Sequence, residues 1–149
     1  MQYITGIHAL NLSCSLLTCG DWHQSAIQWE KPRFRNTEDS IFGEYGIEYC
    51  VIVPENEGIF AVANHIRALL DLLEIGNYSI AKGMNKNFIG NDDYTPEVFE
   101  KVALMRVLPH WNEIDQFMGS EYYGKWLNYK RKAITFSEDI HLDGRKKGA

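Results

Sequence analysis

Proline and cysteine are scarce in this sequence, with 4 Pro and 3 Cys in 149 residues. No apolar run approaches the ~18 residues that a membrane-spanning helix needs, so no bilayer span is expected. The opening Met1-Gln2-Tyr3-Ile4-Thr5 has no basic segment leading into an apolar stretch, which sets the expectation of no secretory signal and a cytoplasmic location. Internal repeats, heptads and biased tracts are missing as well, which excludes collagen-like, coiled-coil and low-complexity classes. Nor is there a P-loop, a GxGxxG after a strand, a GxSxG or an HExxH. The first expectation is a soluble protein without an assembled catalytic motif.

What is present describes a foldable chain. Hydrophobic residues make up 45% and aromatics 13%, a composition that argues against disorder. The length fits one domain, since compact domains commonly run about 100–150 residues. Residues 1–132 are expected to form it, with 133–149 as a flexible C-terminal tail. The net charge of −5 hides an asymmetry: residues 1–124 carry 8 Lys/Arg against 17 Asp/Glu, and residues 125–149 carry 7 against 3. An acidic body repels a phosphate backbone, so broad nucleic-acid binding is disfavoured. The basic tail is read as a solvated end.

The alternation of Ile47, Tyr49, Val51 and Val53 is the clearest strand signal, and 41–53 reads as a hairpin turning through Gly43 and Gly46. Tyr3-Ile4 and Ile7–Leu12 read as short strands. Trp22–Trp29 fits a strand or one helical turn, and Lys31–Ser40 fits a polar loop. From Ile59 through Val62, Ala63, Ile66, Leu69, Leu70 and Leu73 the spacing predicts a helix ended by Gly76. Its other side, Asn64, Arg67, Asp71 and Glu74, is expected to face water, with Arg67 and Asp71 pairing there at i,i+4. Tyr78–Asp93 reads as irregular, with one helical turn near Ile80–Met84. Thr95-Pro96-Glu97 starts a second helix and Pro109 a third, bent near Gly119-Ser120. The fold class is α+β: a small, mostly antiparallel N-terminal sheet, then about three helices packed on it.

The polar chemistry concentrates in His8, Cys14, Cys19, Asp21 and His23, with Cys50 further on. Zinc needs about four nitrogen or sulfur ligands, and Cys14, Cys19 and His23 have nearly suitable spacing. With no C-x-x-C pair, packing is the preferred reading, and neither metal nor cofactor is expected. Three cysteines without an export signal point to reduced thiols. A cysteine nucleophile would need a histidine base, and any of 3 Cys can pair with any of 5 His in a linear reading. The candidate binding patch is His8, Asp21, Trp22, His23 and Gln24: an Asp can orient an imidazole, and Trp with Gln can floor a site for a ring.

Tyr3-Ile4-Thr5-Gly6-Ile7-His8-Ala9-Leu10-Asn11-Leu12 and Thr18-Cys19-Gly20-Asp21-Trp22-His23 resemble an uncharacterised family of small bacterial proteins. Its members are often encoded beside nucleotidyltransferase-type toxin or abortive-infection genes. The similarity extends through Asn64-His65-Ile66-Arg67-Ala68-Leu69-Leu70-Asp71 and the aromatic third helix to about Tyr129, leaving out the chain from Lys132 onward. The resemblance carries no catalytic residues. It implies a protein partner encoded nearby, in a toxin-antitoxin or phage-defence setting. The expected function is therefore a non-enzymatic, antitoxin-like protein-binding module or regulator. Two alternatives stand beside it: a small enzyme or nucleotide-binding protein using a His8/Asp21/Trp22/His23 pocket, and a DNA-binding regulator.

Overall fold

The computed structural model describes residues 1–133. The chain is α+β. Four short strands, β1 (Gln2–Ile4), β2 (Phe34–Asn36), β3 (Ile47–Val51) and β4 (Phe60–Ala63), form one mixed sheet in the order β2-β1-β4-β3. β1 pairs antiparallel with β2 and parallel with β4, and β3 pairs antiparallel with β4. Helix α1 (Gly6–Leu10) follows β1 directly. After the sheet come α2 (His65–Glu74), α3 (Tyr78–Ala81), α4 (Thr95–Ala103) and α5 (Trp111–Tyr122), and helical backbone resumes over 124–133. No helix among the described residues is long and apolar enough to cross a membrane. The tail expected at 133–149 lies, from residue 134, outside the described residues.

Several local expectations change. The segment expected as a strand at Ile7–Leu12 is helical through Leu10 and then turns, because Gly6 at φ +64 leads the chain out of the sheet immediately after β1. The polar segment 31–40 contributes an edge strand, β2, by pairing Tyr3 with Arg35. Residues 41–46 form turns, and β3 pairs with β4 instead of folding back on Ile41-Phe42. The long helix expected from Ile59 is divided: Phe60–Ala63 is a strand, and Asn64 caps a helix that begins at His65 by accepting the Arg67 N–H at 2.8 Å. Asn64 Oδ1 thus marks the change of period that apolar spacing alone conceals. At the other end Gly76, at φ +82, donates to Leu73 O while Asn77 donates to Leu72 O, a Schellman closure. Between helices, 78–93 is mostly helical: α3, a wider π-type turn over Met84–Ile89, then a 3-10 turn at Asp92–Tyr94. The last helix breaks at Tyr123, φ +50, and Gly119 stays within α5.

Helix α2 is buried on every side. Ile66, Leu69, Leu70 and Leu73 pack into the core as their spacing predicts. The face expected in water is buried too. Arg67 and Asp71 do pair, at 2.9 Å, but at 0% and 1% exposure. Their charges are tolerated because the surrounding groups complete their hydrogen bonds. Arg67 also donates to the carbonyls of Gly43 and Tyr45 and to Tyr3 Oη. Asp71 accepts from Tyr3 Oη, Thr5 Oγ1 and Arg35. Burial and the bond to Asp71 push the Tyr3 phenol far above its ordinary range. This network joins β1, β2 and α2, so it holds the sheet to the helix whose first residue enters the site below.

Candidate functional site

The segment 12–23 has no regular structure, yet it is pinned along its length. Asp21 N donates to Leu10 O at 2.9 Å, Gly20 N to Phe88 O at 2.8 Å, and Tyr94 Oη to Leu16 O at 2.8 Å. Ser15 gives both its backbone N–H and its hydroxyl to the Glu48 carboxylate on β3. Gly20 can sit here because it has no side chain. A Cβ at its φ of +72 would lie 2.5 Å from Leu10 O and 2.9 Å from His65 Cε1. The loop therefore lies flush on the first residue of α2.

Between this loop and α2 lies an open cleft of about 400 Å³. Cys14, Thr18 and His65 line it together with Leu17, Trp22 and Gln24. Thr18 Oγ1 stands 3.6 Å from Cys14 Sγ and 2.6 Å from His65 Nδ1. His65 Nε2 lies 2.6 Å from Leu12 O. Burial pushes the Cys14 thiol up, but hydrogen bonding from His65 and Thr18 outweighs it and brings the thiol down to about 7. Burial pulls the His65 imidazole down, yet Cys14, the Leu12 carbonyl and the Glu48 charge together raise it above its ordinary value. A cleft with convergent polar groups and shifted titrations is the default place to look for function.

The sequence-predicted patch is partly gathered here. Trp22 and Gln24 line the cleft. Asp21 Oδ1 lies 3.2 Å from His23 Nδ1, and both residues are held by Asn11. The Asn11 amide donates to Asp21 Oδ2 at 3.0 Å and accepts the His23 N–H at 2.7 Å. Gln24 Nε2 completes the arrangement by donating to Asn11 O. His8 lies elsewhere. It accepts the Arg33 N–H, bonds Gln28 O and packs edge-on against Trp29, so it braces the entry to β2. Cys14, Cys19 and Cys50 are free thiols. The alternative metal set Cys14, Cys19 and His23 does not assemble: among the described residues, no three His, Cys, Asp or Glu side chains stand together as a metal site.

Sequence reasoning misses Asn11, Thr18 and His65. Thr18 is an ordinary loop threonine until the fold brings α2 beside it. Apolar spacing puts His65 in a helix interior, whereas it is the first residue after the Asn64 cap, where a side chain can reach the preceding loops. Compared with protein-family models, curated proteins and solved structures, the chain matches none.

Proposed function

We propose that this chain is a small protein-binding module, antitoxin-like in kind, which docks a basic partner protein over the cleft. The observation that carries this reading is the pair of apolar side chains at the rim. Leu17 and Trp22 are 91% and 82% exposed, and both sit on left-handed backbone, at φ +58 and +61. That conformation costs a non-glycine residue about 1–2 kcal/mol. Strain of this kind collects at ligand clamps and recognition loops. Other exposed apolar residues, such as Ile52 and Val107, do not line this cleft. A tryptophan beside a cavity is the common form of an interface hot spot, and about 400 Å³ admits a large side chain from the partner.

Charge supports the choice of occupant. The excess of acid over base in residues 1–124 favours a positively charged surface opposite it. The resemblance of 3–12, 18–23 and 64–71 to proteins encoded beside nucleotidyltransferase-type toxin genes points to the product of such a neighbouring gene as the partner. The test is a binding titration against that purified product. Trp22→Ala should weaken binding by more than ~1 kcal/mol, about fivefold, with an unchanged thermal melt. Removing residues 133–149 should change affinity little. If the tail deletion abolishes binding and Trp22→Ala does not, attraction through the basic tail replaces this reading.

A further inference from the structure

The hydrogen-bonded chain at the cleft floor has a direction. A carbonyl oxygen only accepts, so His65 Nε2, 2.6 Å from Leu12 O, carries a proton and donates it. In the neutral ring Nδ1 is then the acceptor, and the Thr18 hydroxyl at 2.6 Å donates to it. The same hydroxyl oxygen accepts from the Cys14 thiol at 3.6 Å. Shifting one proton along the chain, from Sγ to Oγ1 and from Oγ1 to Nδ1, leaves a thiolate and an imidazolium with Thr18 unchanged. The product ion pair faces an open cleft rather than the core.

We propose that Cys14 is a nucleophilic thiol that exchanges with small, positively charged disulfides entering the cleft. The Cys14 thiolate attacks one sulfur of R–S–S–R. The Cys14–S–S–R bond forms, the S–S bond of the reagent breaks, and RS⁻ leaves to be converted to RSH by the proton held at His65. No external oxidant is needed, because the incoming disulfide is itself reduced. Preference for a cation follows from the charged and titratable groups around the thiol. Glu48 is bonded to Ser15, next to Cys14 in the chain, and its charge acts on His65, while Cys19 lies on the same cleft wall. His65 is the basic group bonded into the relay, and its charge is neutralised by the thiolate it creates.

This inference stands apart from the docking reading, since its readout is the mass of the chain and not its affinity. It makes an inverted prediction: the least exposed of the three cysteines reacts fastest. Cys14 is half-buried, whereas Cys19 and Cys50 are exposed. A thiol ionising near 7 holds far more thiolate at pH 6 than an ordinary one, but each thiolate is less nucleophilic. The thiolate fraction outweighs the lost nucleophilicity at acidic pH, so the advantage of Cys14 should be severalfold at pH 6 and shrink as the pH rises.

The experiment treats the full chain with cystamine, and in parallel with the neutral 2-hydroxyethyl disulfide, from pH 5.5 to 9. Peptide mass spectrometry follows each cysteine, and Cys50 in the same chain normalises for reagent reactivity. Expected are faster labelling of Cys14 than Cys50 below pH 7, a larger ratio with cystamine, and a Thr18→Val variant whose Cys14 rate falls severalfold at pH 6. Slower labelling of Cys14 than Cys50 across the whole range overturns the proposal. So does a Thr18→Val rate and pH profile equal to those of the unaltered chain. A larger ratio with the neutral reagent removes the assigned cation preference. Should Thr18→Val fail to fold, the pH profile of the unaltered chain decides alone.

Discussion

Replacing Gly20 with Ala probes the contact between the loop and α2 directly. Two costs combine at this position. A non-glycine residue at φ +72 loses about 1–2 kcal/mol to left-handed backbone. The new methyl would also stand 2.5 Å from the Leu10 carbonyl oxygen and 2.9 Å from His65 Cε1. Neither neighbour can yield cheaply. Leu10 is backbone at the end of α1, and the His65 ring is held on both sides, by Thr18 and Leu12. Overpacking of this kind costs about 1–3 kcal/mol, so the total is about 2–5 kcal/mol. Gly43 supplies the control, because at its φ of +54 a Cβ would meet nothing within 4 Å. Gly43→Ala should cost only the backbone share, about 1–2 kcal/mol. Urea denaturation of both variants measures the difference, with the slope m watched for changes in the unfolded state. Gly20→Ala should also slow Cys14 labelling at pH 6, because the ring that takes its proton is displaced. Equal destabilisation in the two variants, with Cys14 labelling untouched, would refute the close packing of loop on helix.

The same contacts set four further outcomes. Leu69→Ala, at a site with 0% exposure, should lose about 2–5 kcal/mol in urea denaturation. Asp71→Ala strands the buried Arg67 guanidinium without its carboxylate and should cost about 3–5 kcal/mol, more than an exposed Glu55→Ala control. Trp22→Gly relieves about 1–2 kcal/mol of left-handed strain and costs about 0.5–1 kcal/mol in chain entropy, so stability should hold or rise by up to about 1.5 kcal/mol while partner affinity falls. The Cys14 thiol is lowered in the native chain to about 7, so its contribution is full above the unfolded value and lost as pH falls through about 7. The stability gap between the unaltered chain and Cys14→Ser should therefore widen from pH 6 to pH 9, as measured by urea melts at each pH.

The architecture is legible in the sequence where one local rule dominates. The leucine spacing of 66–73 and Gly76 define the buried face and the end of α2, and the alternation beginning at Ile47 marks β3, although the strand ends at Val51 and a register shift after Glu48 leaves Tyr49 exposed. Legibility fails where a neighbour in space decides the outcome. Phe60–Ala63 continues the apolar spacing of α2, but pairing with β1 and β3 makes it a strand. Arg67 and Asp71 look like a surface pair until Tyr3, Thr5 and Arg35 arrive from the N-terminal segment and β2 to complete their bonds. The site shows the same division. Asp21, Trp22, His23 and Gln24 are legible as a polar turn around a tryptophan, because they are contiguous. Thr18 and His65 are 47 residues apart, and no spacing rule connects them. His8 draws attention by its residue type alone, and its bonds to Gln28 and Arg33 show it bracing a loop.

Trp22 is proposed to anchor a partner over the cleft. This anchoring is measured by calorimetric titration of the unaltered chain and of Trp22→Ala against a purified nucleotidyltransferase-type toxin, the proposed partner, at fixed ionic strength. The unaltered chain should bind saturably and Trp22→Ala at least about fivefold more weakly, with matching melting curves. Equal affinities for the two chains, or no binding by the unaltered one, would contradict it.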